Sequence, residues 1–342
     1  MLVCVTGGTG FVGAHSVAAL LRAGCQVRLL VRDKAAVGPA LRPLGVEPDE
    51  VEICAGDICD EPAVSAAVRG ADAVLHAASV YSFDSRRAAE MRRVNLLGTE
   101  TVLDAALRAD VGRIVYVSSI VAMYPAANRV LDARTPVGRP RDVYMATKAA
   151  ADEVARGYQE VAAPVFITYP PALLGPHDPH RGDQTSRLRY ALRGLTPIWP
   201  TGGFPVGDVR DTAELHAAVI TEPRPESDRL FGPGRHLTTR QYMRTVRRVT
   251  GRRLPSAHLP GKAMLPLGRM VDGLQKAWPW HIPAEYGAIY TCACDCRVAA
   301  DAPTQGVAAR PVEETFTDTV RWLHAGGQLT DRQAGAALAG RD

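Results

Sequence analysis

Lysine is nearly missing from this chain. Lysine and arginine together number 40 in 342 residues, yet the lysines are confined to positions 34, 148, 262 and 276. The basic charge is almost all arginine, so each lysine stands out more than any arginine does. Blocks of one sign are missing too: a net charge of +4 is spread along the chain, which argues against nucleic acid or a lipid surface as partner. No apolar run is long enough for a membrane span, and the start of the chain lacks the charged-then-apolar pattern of a leader, so a cytoplasmic protein is expected. Internal repeats and low-complexity segments are absent. Cysteine occurs an odd number of times, seven, at 4, 25, 54, 59, 292, 294 and 296, which predicts reduced, mostly buried thiols rather than a disulfide framework. Cys292, Cys294 and Cys296 alternate with Ala293 and Asp295, so an extended backbone sets all three on one face of a strand. They lack a fourth ligand and the wider spacing of a metal site, and His177 and His180 have no spaced acidic partner, so no metal is expected.

What is present is a soluble globular composition, 46% hydrophobic and 22% charged, with length for one large domain or two modest ones. The chain is organised around LVCVTGGTGFVG, residues 2–13. A short apolar run ends in Thr6-Gly7-Gly8, and a helical pattern starts at Phe11-Val12. Glycines at 8, 10 and 13 satisfy the dinucleotide fingerprint, and glycines at 7, 10 and 13 satisfy its wider-spaced variant equally well. Either way the strand, the glycines and the helix come in the order that sets an anion on the backbone N–H groups of a helix N-terminus.

Strand and helix then alternate, with strands over 26–31, 51–55, 71–76, 113–117 and 165–169 and helices over 62–69, 86–107 and 143–161. This pattern predicts an α/β fold, a doubly wound parallel Rossmann sheet. From Pro170 prolines and glycines recur and the alternation breaks. Residues 206–220 read as a return to the sheet, with helices following over 239–250, 262–276 and 312–325. The resulting division is a dinucleotide-binding domain of residues 1–169 plus about 206–233, and a smaller, mostly helical substrate-binding cap of about 170–205 plus 234–325. Residues 326–342 read as a frayed tail.

Two further features carry chemistry. Tyr144 and Lys148 stand four apart on a predicted helix, one above the other, where an ammonium would favour the phenolate and make Tyr144 a general acid or base. The same spacing occurs in ordinary amphipathic helices; the rarity of lysine and the nucleotide motif upstream favour the chemical reading. The strand over 113–117 ends in Ser118-Ser119, at the carboxyl edge of the sheet, where a hydroxyl can hydrogen-bond a reacting carbonyl oxygen.

With these in view the chain resembles an extended short-chain dehydrogenase/reductase of the epimerase/dehydratase superfamily, most like the dihydroflavonol reductase-like and 3β-hydroxysteroid dehydrogenase-like members. The matching segments are TGGTGFVG (6–13), GDICD (56–60), HAAS (76–79), VNLLGT (94–99), VYVSS (115–119), YMATK (144–148), PPALLGP (170–176), DVRDTAELH (208–216) and EETFTDTVRWL (313–323). The resemblance implies Tyr144 as acid/base, Lys148 as the residue that lowers its pKa and holds the nicotinamide ribose, and Ser119 as the group orienting the substrate carbonyl. It also implies a cofactor site built from Gly7, Thr9, Gly10, Phe11, Val12 and Gly13, with Asp57 and Ile58 at the adenine, His76, Ala77 and Ala78 along the channel, and Pro170 and Pro171 beside the nicotinamide. Asn95 is implied as a structural or relay residue. For His76 a plain core histidine is an equal reading.

The sequence departs from the family in two places. NAD-preferring members have an acidic residue at the end of the second strand, whereas here Val31 is followed by Arg32, with Lys34 in reach. That favours NADP, with NAD as the alternative should Asp33 bind the ribose. The sugar-nucleotide dehydratases follow their serine or threonine with Asp-Glu; Ile120-Val121 stands here, which speaks against dehydration.

For substrate, Tyr81 and Phe83 after the fourth strand, with Ser119 and Tyr144, and an apolar set over 254–286 (Leu259, Met264, Leu265, Leu267, Met270, Trp278, Trp280, Ile282) suit a mainly apolar alcohol or carbonyl: a hydrophobic ketone, an aldehyde, or a flavonoid- or steroid-like molecule. Arg187, Arg189, Arg193 and Arg210 leave room for a nucleotide sugar. The expected activity is an NADP-dependent reductase or dehydrogenase; the alternatives are a nucleotide-sugar epimerase and a non-catalytic dinucleotide sensor. Relatives pair through the two long helices, which implies a homodimer.

Overall fold

The computed structural model of the chain describes residues 1–81, 85–275 and 286–339. In chain order its strands are β1 (Leu2–Thr6), β2 (Gln26–Val31), β3 (Glu52–Ala55), β4 (Ala73–His76), β5 (Arg113–Val117), β6 (Val130–Leu131), β7 (Val165–Tyr169), β8 (Ala172–Leu174), β9 (Ile198–Pro200), β10 (Gly203–Asp208), β11 (Arg229–Phe231), β12 (Arg235–Thr238), β13 (Ala257–Leu259) and β14 (Arg297–Val298). The helices are α1 (Phe11–Arg22), α2 (Val37–Leu41), α3 (Glu61–Val68), α4 (Ala88–Arg92), α5 (Gly98–Arg108), α6 (Val143–Glu160), α7 (Asp183–Leu192), α8 (Val209–Thr221), α9 (Thr239–Thr250), α10 (Gly261–Gln275), α11 (Tyr286–Cys294), α12 (Val312–Ala325) and α13 (Asp331–Ala334).

Seven strands form one parallel sheet in the order β11-β7-β5-β4-β1-β2-β3. Val3, Cys4 and Val5 of β1 are wholly buried because helices cover both faces, the condition under which a parallel strand carries apolar side chains on both sides. One face packs against α3, α5 and α6 around Val74, Val102, Leu103 and Ile114; the other packs against α1 and α8 around Val17, Leu20, Leu215 and Val219. The strand order reverses between β1 and β4, so a crevice opens at their carboxyl ends. The helix read as continuous over 86–107 is α4, a π-helical turn at Arg93–Leu97, and α5 in succession. That turn carries Asn95.

A third core, around Leu188, Trp199, Phe204, Tyr242 and Phe316, belongs to the cap. The cap is helical, and it also holds a three-stranded sheet, β12-β10-β8, and the pair β13-β9. Three expectations are corrected here. The strand read near Val206 is β10, which joins the small sheet; the seventh strand of the large sheet is β11, three residues long and lacking a pattern of its own. Cys292 and Cys294 lie on helix α11 rather than on a strand; Tyr286, Gly287, Ile289, Tyr290, Thr291 and Cys292 are all buried, so burial nearly all round leaves no polar face to mark the helix. Residues 326–339 are not frayed: Thr330 and Gln333 cap α13 reciprocally, and Leu329, Ala334 and Ala337 are buried against the cap. All seven cysteines are free thiols. Phe83, Trp278, Trp280 and Ile282 lie outside the described residues.

Candidate active site

The turn after β1 settles which glycines matter. Gly7 has φ +75°, a conformation side chains resist, and a Cβ there would come within 2.5 Å of the Ala78 backbone nitrogen. A Cβ on Gly13 would run into the Gly7 carbonyl oxygen, so α1 packs on the turn only because Gly13 has none. Gly10 donates to the Gly7 carbonyl at 2.9 Å and is the N-cap of α1. Gly8 lies within the turn that this bond closes but faces Leu29 and does not line the cavity, so the set is 7, 10 and 13. No side chain caps α1 and no acidic residue occupies its first turn, which leaves its N-terminal N–H groups and positive dipole end to the cavity in front of them. Gly7, Gly10, Phe11, Val12 and Gly13 line that cavity, and such a cradle fits the pyrophosphate of a dinucleotide.

At the end of β2, Arg32 is exposed and lines the same cavity. Asp33 is used locally, its Oδ1 accepting from the Ala35 backbone at 2.9 Å. Arg87, which the sequence did not single out, also lines the cavity; its guanidinium is paired with Glu90 at 2.9 Å. Thr9, Lys34, Asp57 and Ile58 are not among the lining residues. Asp57 instead accepts from the Cys59 backbone at 2.9 Å, and Ile58 packs against Gly98.

His76 at the end of β4 is fully buried. It is hydrogen-bonded to Thr6 Oγ1 at 2.7 Å and Thr99 Oγ1 at 3.2 Å, with burial pulling its pKa down to about 3. That is a neutral core imidazole tying β1, β4 and α5 together. Ala77 lines the cavity, and Ala78 offers its backbone to Thr6 Oγ1 at 3.3 Å. Asn95 is structural in the same way: it accepts from Val80 N at 2.7 Å and donates to Val80 O and to Thr147 Oγ1, both at 3.0 Å. It therefore joins the loop after β4 to α6.

Ser119, Tyr144 and Lys148 meet at the floor of the cavity. Asp142 caps α6, accepting from Met145 N at 3.0 Å, and so fixes the first turn that carries Tyr144. Ser119 begins the short turn after β5, accepting from Val121 N, and its hydroxyl is close enough to the Tyr144 phenol to hold its pKa down. Lys148 Nζ donates to the Val117 carbonyl at 3.0 Å and lies 5.3 Å from the centre of the Tyr116 ring. Burial pulls the lysine pKa down to about 8, against the opposing pull of Asp152. In the cofactor-free protein the phenol is not brought below its ordinary value, as the spacing had suggested. Burial, with Asp183 and Asp142, pushes the phenol above its ordinary value, and the group acting the other way is Ser119. The spacing of four stacks the two residues, but the ammonium is turned to a carbonyl beneath the sheet edge. Tyr81 closes the site from above, its ring 4.8 Å from that of Tyr144, with Gln184 Nε2 donating to its hydroxyl at 3.3 Å.

From this floor the cavity, about 560 Å³ in volume, runs past Pro170 and Pro171 to a wall of Val80, Ile120, Val121, Leu173, Phe204 and Pro205, with Ser79, Asp178, His180, Gln184, Thr185 and Thr291 as its polar points. Asp178 is committed to its own loop, accepting from His180 N at 3.1 Å, Gly182 N at 2.8 Å and Thr185 Oγ1 at 2.7 Å. Residues 3–231 match the NAD dependent epimerase/dehydratase family. The chain belongs to that family. It is 29% identical over 339 residues to a ceramide reductase of Caulobacter vibrioides, covering 96% of each chain. It is 26% identical over 340 residues to sterol demethylase protein B of Methylococcus capsulatus, covering 96% of this chain and 100% of that one. Among solved structures it resembles gox2253, with a TM-score of 0.79 and 25% identity over 96% of this chain and 99% of that one.

The epimerase/dehydratase fold explains what local pattern missed. The apolar wall comes from β8, β10 and the turn after β5, whereas Leu259, Leu267 and Met270 of the expected apolar set are exposed and Met264 is buried in the cap. The four arginines do not converge either. Arg187 lies over the Phe204 ring at 5.0 Å, Arg189 donates to Gln328 at 2.9 Å, Arg210 is bound to Asp208 and Asp318, and Arg193 is exposed. Gln184 and Thr185 carried no signal, because a polar first turn of a helix is common on any surface.

Proposed function

We propose that this chain is an NADP-dependent reductase of the Ser-Tyr-Lys type, acting on the carbonyl group of a mainly hydrophobic small molecule. The observation that carries the reading is one continuous cavity joining the glycine cradle, the Ser119-Tyr144-Lys148 cluster and a wall on which Ile120 and Val121 stand. An elimination chemistry needs an acid and a base beside the serine, where Ile120 and Val121 stand, while the carboxylate of Asp178 is bound to Gly182 N and Thr185 Oγ1. A nucleotide sugar needs cations for its diphosphate, and Arg189 and Arg210 are committed to Gln328 and to Asp208 and Asp318.

Bound NADPH would supply the hydride. Gly7, Gly10 and Gly13 with the N-terminus of α1 would hold its pyrophosphate, Arg32 its 2′-phosphate, and Lys148 its nicotinamide ribose. Tyr144 and Ser119 would both point hydroxyls at the substrate oxygen, so the carbonyl carbon faces the nicotinamide side of the cavity. As the carbon takes hydride, negative charge grows on the oxygen; Ser119 stabilises it by donating a hydrogen bond and Tyr144 delivers the proton, giving the alcohol. The high pKa of Tyr144 keeps the phenol protonated at neutral pH, the state a proton donor requires. Tyr81, the prolines and the apolar wall exclude water from the reacting carbon. The relative named ceramide reductase agrees with a hydrophobic ligand.

The test is consumption of NADPH, followed by its absorbance, against a panel of long-chain ketones, aldehydes and steroid- or flavonoid-like carbonyls. Steady turnover supports the reading. Interconversion of a nucleotide sugar without net loss of reduced cofactor overturns it.

A further inference from the structure

Four residues of α6 fall on one line at spacings of four: Tyr144, Lys148, Asp152 and Arg156, all buried. The first two belong to the site described above. The other two lie below it, out of reach of any ligand, and a buried carboxylate needs a reason to be there.

Asp152 has no exposed surface, and its Oδ2 is paired with Arg156 Nε at 2.8 Å and accepts from Tyr169 Oη at 3.3 Å. Arg156 is spoken for at every side, donating also to the Thr135 carbonyl at 2.9 Å and to Tyr169 Oη at 3.0 Å. The second oxygen, Oδ1, is left over: together with Ser118 Oγ and Tyr116 Oη it is a buried polar atom without a hydrogen bond of good geometry. Ser118 and Tyr116 are on the strand end that carries Val117, whose carbonyl receives the ammonium of Lys148. The carboxylate thus has one oxygen committed to Arg156, and it neighbours Ser118, the residue next to the Val117 carbonyl that anchors the lysine.

We propose that Asp152 is a positioning residue of the reductase site: its carboxylate, one turn below Lys148, keeps that side chain charged and directed at the Val117 carbonyl. The proposal rests on the reductase reading only for its consequence in turnover. Around the ammonium the other charged or titratable groups among the described residues are the Tyr116 phenol on β5, the neutral His76 on β4, Tyr144 on the same helix, and Arg156 two turns on. None of these is an anion at neutral pH. Asp152 is the counter-charge within one turn, and burial alone would favour the uncharged amine.

The test uses the scarcity of lysine. A protein carrying carbon-13 lysine has signals from four residues, 34, 148, 262 and 276, and Lys148→Met identifies the buried one. In cofactor-free protein the Lys148 signal should titrate near pH 8. In Asp152→Asn it should titrate about one unit lower or more, and in Asp152→Glu it should return toward the native value. Should Asp152→Asn fail to fold because Arg156 is left unpaired, Asp152→Asn with Arg156→Met removes both charges, and the loss of the nearer one still lowers the titration. With NADPH and a carbonyl substrate, the alkaline limb of the kcat profile should move down by the same amount. A Lys148 titration unmoved in either folded variant overturns the proposal. Because this readout needs no substrate, it stands apart from any failure of the reductase reading.

Discussion

The Ser119 hydroxyl lies beside the Tyr144 phenol, and its pull opposes the burial and the carboxylates of Asp183 and Asp142 that push the phenol upward. The serine therefore acts twice, once on the tyrosine and once on the substrate oxygen. Ser119→Ala should lower kcat by about 100-fold with little change in KM, since both effects develop as charge grows on the oxygen. Steady-state kinetics at fixed NADPH check this; a KM change with kcat intact would place Ser119 in substrate binding alone.

Tyr144→Phe keeps the ring packed against Tyr81 and removes only the hydroxyl. It should cost at least about 1000-fold in kcat while NADPH binding, read by fluorescence, stays within a factor of about two.

Cofactor choice should follow Arg32, which lines the cavity while Asp33 is held in its own turn. Arg32→Ser should weaken NADP binding by about 10- to 100-fold and leave NAD binding nearly unchanged, as expected when a charge-assisted contact to a phosphate is lost. Titration calorimetry with both cofactors separates the two effects. Equal loss for both would show that Arg32 does not read the 2′-phosphate.

Acid should destabilise the fold through its buried imidazoles. His76 and His216 are both pulled to about 3 by burial, and each is hydrogen-bonded to hydroxyls: His76 to Thr6 and Thr99, His216 to Ser16 and Thr168. In the unfolded chain they titrate near 6.5. Below that pH the unfolded state binds more protons, so stability is full above about 6.5 and falls as the pH drops toward 3. Between about pH 6.5 and 5 each should remove about 2 kcal/mol. Urea unfolding at these two pH values measures the slope, and His216→Gln should flatten it by about half.

Much of this site was legible in the chain because its parts are local. A strand, three glycines and a helix must be contiguous to cradle a pyrophosphate, and Tyr144 and Lys148 must share a helix face. What stayed hidden was tertiary. The apolar wall is assembled from Ile120, Leu173 and Phe204, three separate elements, and none of them carries a pattern that points at the others. Helix α11 is buried nearly all round, so its alternating cysteines resembled a strand. The electrostatics were hidden too: spacing puts Lys148 beside Tyr144, but only the fold shows the ammonium turned to Val117 and the serine lying beside the phenol. The same limit applies to Asp57, whose Oδ1 accepts from the Cys59 backbone while its Oδ2 lies 3.8 Å from Arg93.

The most direct measurement is the fate of deuterium from NADPH labelled at the transferred position, incubated with a hydrophobic ketone and the native enzyme. The account predicts one deuterium on the carbinol carbon of the alcohol for each NADPH oxidised, with the rate collapsing in Tyr144→Phe. Label that remains in the cofactor while a nucleotide sugar is epimerised, or full turnover in Tyr144→Phe, would contradict it.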